Sequence, residues 1–202
     1  MIKMKKYIPS KYWNERLKNN FNLKGVGNFG YPLIYNELVY LFKRRILKKY
    51  LEKIETESVL DIGCETGAFI KIFKKNGVQK YFGMDISKES IKRLSKLYDY
   101  PFIIGDISNF FLKKKFDIIN CFDILIHIKN DKKFKNALKN ISQMSNGFIF
   151  FTDTFDGSEK WHVKNRKLEK YSENLPDFAL VNLKKIPLDL GVKFAVFEKI
   201  RK

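Results

Sequence analysis

Between residues 58 and 151 short apolar runs alternate with amphipathic stretches, and this alternation leaves the chain few folds to choose from. Strands read at Ser58–Ile62, Val78–Met84, Pro101–Ile104, Phe116–Cys121 and Gly147–Phe151, with helices at Ala68–Lys75, Lys88–Leu97 and Lys132–Met144. Such a succession predicts right-handed crossovers and a parallel sheet covered on both faces. Ala179–Lys184 and Lys193–Lys199, joined through Pro187 and Gly191, read as a hairpin that gives the sheet an antiparallel edge. Ahead of the alternation lie a helix Ser10–Lys18 led by Tyr12 and Trp13, a glycine-rich loop Gly25–Pro32, and a helix Leu33–Leu51. Leu38, Leu41, Phe42, Ile46 and Leu47 form the apolar stripe of that long helix. The expected organisation is a helical cap or lid over residues 1–50 on a single α/β unit over residues 51–202.

The turn Asp61-Ile62-Gly63-Cys64-Glu65-Thr66-Gly67 falls where the first strand ends and a helix begins. Gly63 and Gly67 permit positive φ and close approach of a ligand to the backbone. A dinucleotide fingerprint would place bare glycine amides at a pyrophosphate; here Glu65 replaces the middle glycine and Ala68 the last. Carboxylates at Asp61 and Glu65 would repel a pyrophosphate and suit a ligand with an ammonium or sulfonium end. Asp85 ends the second strand, 18 residues after Gly67, where a carboxylate can accept from both hydroxyls of a ribose. Asp106 ends the third strand, where an acid can accept an adenine amino group, and Asp123 ends the fourth. Four acids at four successive strand ends mark the edge at which open parallel sheets bind ligands.

On these residues the chain resembles the class I S-adenosylmethionine-dependent methyltransferases. Asp61–Gly67 resembles their first motif, Asp85 with Ile86 the second, Asp106 with Ile107 the third, and Cys121–Asp123 the fourth, beside the transferred methyl. The resemblance implies a Rossmann-like three-layer sandwich around a seven-stranded, mostly parallel sheet with an antiparallel last strand. It implies S-adenosylmethionine as cofactor and S-adenosylhomocysteine as product. Expected contacts to the cofactor are Asp61, Gly63, Cys64, Gly67, Asp85, Ile86, Asp106, Ile107 and Phe122. It also sets the first and fourth strands side by side, which would bring Cys64 near Cys121; both read as small buried thiols.

Methyl transfer is an in-line displacement, so the protein must align a nucleophile and exclude water. His127, one of two histidines in the chain, follows the fourth strand and is the candidate base. Asp123 with His127 resembles a carboxylate–histidine metal site, but Ile126 stands where another carboxylate would be needed, so no metal is expected. Tyr12, Trp13, Asp153, His162 and Arg166 are candidates for holding the acceptor, the last three on an insertion after the fifth strand. The expected reaction is methylation of a small molecule, O-directed on a saccharide or related metabolite. The competing readings are an RNA or protein methyltransferase and a non-catalytic subunit of the same fold that binds a partner.

The net charge of +18 supports the RNA reading less than its size suggests. Forty basic residues face 22 acidic ones, but only six are Arg, whose fork grips phosphate and base edges. Abundant Lys, Asn, Ile, Phe and Tyr beside four Ala point to A/T-rich codons and a solvated lysine surface. Nucleic acid is therefore not the favoured partner, although such a field steers anions and leaves room for an anionic acceptor. No stretch of eighteen uncharged apolar residues exists, and no apolar run follows the basic start Met1–Ser10, so neither a membrane span nor a secretory signal is expected. Two cysteines make no disulfide framework, which points to a reducing, cytoplasmic setting; oligomeric state is not legible.

Overall fold

The computed structural model describes residues 7–201. The basic start Met1–Lys6, which carries most of the expectation about a signal segment, lies outside them. In chain order the elements are α1 (Pro9–Asn19), α2 (Leu23–Val26), α3 (Leu33–Leu51), β1 (Ser58–Ile62), α4 (Ile70–Lys75), β2 (Lys80–Asp85), α5 (Lys88–Leu97), β3 (Phe102–Ile104) and β4 (Phe116–Phe122). A 3-10 turn, Leu125–His127, leads to α6 (Asp131–Met144), β5 (Ser145–Asp153), α7 (Leu168–Ser172), β6 (Phe178–Lys185) and β7 (Lys193–Lys199).

The seven strands form one sheet in the order β3-β2-β1-β4-β5-β7-β6. β7 runs antiparallel to both β5 and β6, and the other neighbouring pairs are parallel. The terminal hairpin thus inserts its second strand beside β5 and leaves β6 at the edge. The order reverses between β1 and β4, which opens a crevice at the carboxyl ends of the central strands.

Period-two alternation along the central strands feeds two cores. Leu60, Ile62, Ile119, Cys121 and Phe151 face α6 and α7. Val59, Ile118, Phe122 and Phe150 face α3, α4 and α5. On α6, Phe134, Ala137, Leu138, Ile141 and Met144 recur at helical spacing and are buried, and Asn130 caps the helix by accepting from Lys133 N at 3.0 Å. Cys64 and Cys121 are free, buried thiols assigned to opposite cores of the sheet, so adjacency of β1 and β4 does not pair them.

Two expectations about the N-terminal segment change. The loop Gly25–Pro32 begins inside α2, which Asn22 caps by accepting from the amides of Lys24 and Gly25. On α3 the buried face is Asn36, Val39, Tyr40, Lys43, Leu47 and Leu51, while Leu38 of the expected stripe is 40% exposed. Leu47 of that stripe is buried and Phe42 and Ile46 pack against the core, and two polar residues join the buried face because they have partners inside. Asn36 accepts from Asn28 N at 2.8 Å and donates to Asn28 O at 3.0 Å, which clamps the loop before the helix. Lys43 pairs with two buried-side carboxylates described below. α1 is docked on the start of α5: Asn14 Oδ1 accepts from Glu89 N at 2.9 Å, and Leu17 is buried beneath.

Candidate functional site

A cavity of about 550 Å³ opens over the carboxyl ends of β1 to β4 and is roofed by α1. That volume lies in the range of sites for small ligands and cofactors. Its floor begins at the turn after β1. Gly63 adopts φ +75, and a Cβ there would stand 2.1 Å from Ile124 Cδ1. The positive φ favours glycine at this point, and a side chain there would have to displace Ile124. Gly63 N and Cys64 N both donate to Met84 O, at 2.7 and 3.1 Å, which ties the turn to β2.

Asp85 is the hinge of this floor. Its Oδ2 accepts from Glu65 N at 2.9 Å and its Oδ1 from Ser87 N at 2.8 Å. Burial pushes its pKa up to about 6, against the pull of those amides. Ser87 caps α5 by accepting from Ser90 N. Asp106 accepts from Ser108 N and Oγ at 2.9 and 2.7 Å, and Lys133 stands 3.8 Å away. Met84, Ile86, Ile107 and Ile124 supply apolar wall between these acids.

The mouth is aromatic. Trp13 of α1 meets His127 edge-on at 4.9 Å, and Tyr7 joins it in the wall. His127 and His162 stack in parallel at 5.4 Å. Tyr12 and Trp161 pack around His162 at 5.4 and 5.1 Å. The Nδ1 of His127 lies 3.2 Å from the carbonyl oxygen of His162, an arrangement that requires the proton on Nδ1 and leaves Nε2 with its lone pair. Burial lowers the His127 pKa to about 4, only partly opposed by the His162 carbonyl. The imidazole is neutral at pH 7.

That depression makes a stability prediction. The unfolded chain takes up a proton near pH 6.5, which the folded His127 refuses until about pH 4, so its contribution to stability is lost as pH falls through this window. Asp61 and Asp85, raised to about 6, act in the opposite direction but do so equally in a His127→Asn variant. The unchanged protein should lose up to about 3 kcal/mol more than His127→Asn between pH 7 and 4. Parallel thermal midpoints of the two proteins across that range would contradict it.

An ion cluster around the buried Lys43 reaches the cavity wall at Asp123. Lys43, 4% exposed, bonds Asp123 Oδ2 and lies 2.9 Å from Asp189 Oδ2 in the β6–β7 connection. Burial would lower its pKa, but Asp123 and Asp189 outweigh burial and hold the ammonium above its ordinary range. Thr152 Oγ1 donates to Asp123 Oδ1 at 2.6 Å. Asp123 itself turns the chain at φ +56. Tyr40, over whose ring the Lys43 ammonium sits at 5.3 Å, donates its hydroxyl to Glu65 Oε2 at 3.1 Å.

Of the residues expected at the ligand, Gly63, Asp85, Ile86, Asp106, Ile107, Trp13 and His127 line the cavity. Asp61 does not: it is 1% exposed, and its two oxygens accept from Tyr81 OH and Asn120 Nδ2, each at 2.7 Å. Cys64 and Phe122 pack into the core, and Gly67 at φ +77 lies against Ile70 and Leu94. Tyr12 and His162 support the mouth from behind. Arg166 turns away from it: its guanidinium donates to Asp131, Ile128 O and Lys129 O and lies 3.9 Å over the Phe134 ring. Asp153 accepts from Tyr171 OH at 2.6 Å and from Phe155 N at 3.2 Å. Arg166 and Asp153 therefore secure the insertion that carries Trp161 and His162. Tyr7 is also in the wall, as are Asp123 and Glu65, whose carboxylate the sequence already suits to a cationic ligand end. The signal for Glu65 was its place inside the glycine turn; Tyr7 has no motif around it.

Residues 35–186 match the model of a family described as a methyltransferase domain. A stretch of 69 residues is 33% identical to dTDP-4-amino-2,3,4,6-tetradeoxy-D-glucose N,N-dimethyltransferase of Saccharopolyspora spinosa; it spans 33% of this chain and only 27% of that relative. Among solved structures, the N-methyltransferase NodS of Bradyrhizobium japonicum in complex with S-adenosylhomocysteine superposes with a TM-score of 0.66 at 19% identity, over 80% of this chain and 88% of that one. Magnesium protoporphyrin IX methyltransferase of Synechocystis with bound S-adenosylmethionine gives 0.70 at 14% identity, over 98% and 100%. These two likenesses are of fold.

Proposed function

This chain belongs to the class I S-adenosylmethionine-dependent methyltransferases, and from that membership we propose that it methylates an amine of a small molecule, with an amino sugar as the acceptor class that fits best. The cavity suits the cofactor by its chemistry. Asp85 offers carboxylate oxygens for ribose hydroxyls, and Ile86, Ile107 and Asp106 would hold the base. When bound, the cofactor supplies a methyl group on a sulfonium, open to in-line attack.

The observation that carries the choice of nitrogen is His127. His127 lines the cavity, its Nε2 makes no hydrogen bond among the described residues, and its pKa of about 4 makes it a weak base. A base that weak gives little driving force for removing a hydroxyl proton, whereas a neutral amine brings its own lone pair. Tyr7 and Trp13 exclude water and favour the uncharged amine over its ammonium form. The name of the Saccharopolyspora relative, an N,N-dimethyltransferase of an amino-sugar nucleotide, supports the same choice. Lys133, 3.8 Å from Asp106, and Lys129, paired with Glu159, line the cavity and would suit an anionic handle such as a diphosphate.

Two substrates separate the amine from the hydroxyl expected on sequence: a nucleoside-diphosphate 4-amino sugar and its 4-hydroxy counterpart, each incubated with methyl-labelled cofactor. The label is expected on the amine, at least 100-fold faster than on the hydroxyl, and His127→Asn should slow it by no more than about tenfold. Label on the hydroxyl compound, abolished in His127→Asn, would overturn the amine reading.

A further inference from the structure

We infer that Glu65, aimed by Tyr40, is the anion that receives the ammonium of the cofactor's amino-acid end; the inference rests on the methyltransferase reading above. Of the two acids in the turn that suit this role by sequence, Asp61 has both oxygens spent on Tyr81 and Asn120 and does not reach the cavity. The remaining acids are also engaged. Asp123 is held by Lys43 and Thr152, Asp106 by Ser108, and Asp85 stands at the next strand end, where it suits the ribose. Glu65 differs. One oxygen accepts from Tyr40, and the other has no hydrogen-bond partner among the described residues while the residue lines the cavity.

The backbone fixes where that carboxyl points. Glu65 adopts φ +51, a conformation that costs a residue with a side chain and nothing for glycine. Its N–H is held by Asp85 and its C=O accepts from Ser90 Oγ. A turn locked on both sides of a strained glutamate holds a carboxyl where a relaxed turn would carry none. Burial, then the nearby Asp85 and Asp123, raise the pKa of Glu65, so a cation arriving beside it relieves an existing penalty. The nearest ammonium of the protein, Lys43, is already shared between Asp123 and Asp189. The carboxyls around the turn thus outnumber its ammonium, and the ligand brings a further positive charge.

Calorimetry with two ligands isolates this contact. S-adenosylhomocysteine has the ammonium; 5′-methylthioadenosine has the ribose and base without it. Glu65→Gln should weaken the first by about 10- to 100-fold and leave the second within about threefold, the loss of one charge-assisted bond. Glu65→Gly, which removes the φ strain and so protects folding, should show the same split. Tyr40→Phe should weaken only the first, by a smaller factor. Affinity for S-adenosylhomocysteine retained within threefold in Glu65→Gln, or a parallel loss of both ligands, would overturn the assignment. If the unchanged protein bound neither ligand, the methyltransferase reading itself would fall, and this one with it.

Discussion

Replacing Lys43 by methionine is expected to cost about 3 kcal/mol of stability, the largest single-site effect anticipated for this protein. The methionine keeps the length of the side chain and removes the charge. Asp123 and Asp189, 26% and 22% exposed, would then face each other and Glu65 with no cation between them. Leaving buried charge uncompensated is what makes broken pairs expensive, whereas an intact pair adds little over a hydrophobic replacement. The loss should be read from the urea midpoint at unchanged m-value. It should be smaller at pH 5 than at pH 7, because burial already raises the Asp189 carboxyl and the lost ammonium no longer holds it down, and Lys43→Met combined with Asp123→Asn should recover part of it. A variant within 0.5 kcal/mol of the parent at pH 7 would mean that the cluster is solvated and that α3 is held in place by its apolar contacts alone.

Asp85→Ala should weaken binding of S-adenosylhomocysteine by about 10- to 150-fold, corresponding to about 1.5–3 kcal/mol. The carboxylate has two tasks, and the variant removes both. It fastens the glycine turn through Glu65 N and the start of α5 through Ser87 N, and it offers its remaining acceptor capacity to the ligand. Asp85→Asn keeps the shape with one acceptor oxygen and should retain more affinity than alanine. 5′-Methylthioadenosine should lose affinity alongside S-adenosylhomocysteine here, unlike in Glu65→Gln, because the ribose belongs to both. Unchanged affinity in Asp85→Ala would remove the ribose assignment and, with it, the placement of the cofactor along β2.

What the chain determined by itself was the layer plan and the edge that carries the site. Alternation between residues 58 and 151, glycines at a strand end, and acids at four strand ends are local patterns, and local sterics and periodicity act on neighbouring residues whatever the rest of the chain does. The parallel strands β1 to β5 and the cavity above β1 to β4 follow from them. Which acid serves and which acid braces was decided only in three dimensions. Asp61 and Glu65 lie in one turn, yet the register that sets Asp61 opposite Asn120 turns the first into a strut, and the lock between Asp85 and Ser90 turns the second into the cavity. Arg166 and Asp153 looked like acceptor contacts by position and became anchors of the insertion, because Asp131 and Tyr171 reached them from other elements. Lys43 looked like one more solvated lysine on a helix and is buried, because Asp123 comes from the turn after β4, 80 residues away, and Asp189 from the last hairpin. A polar side chain's role depends on the partner that desolvates with it, and partners far apart in the chain meet only once the sheet has assembled.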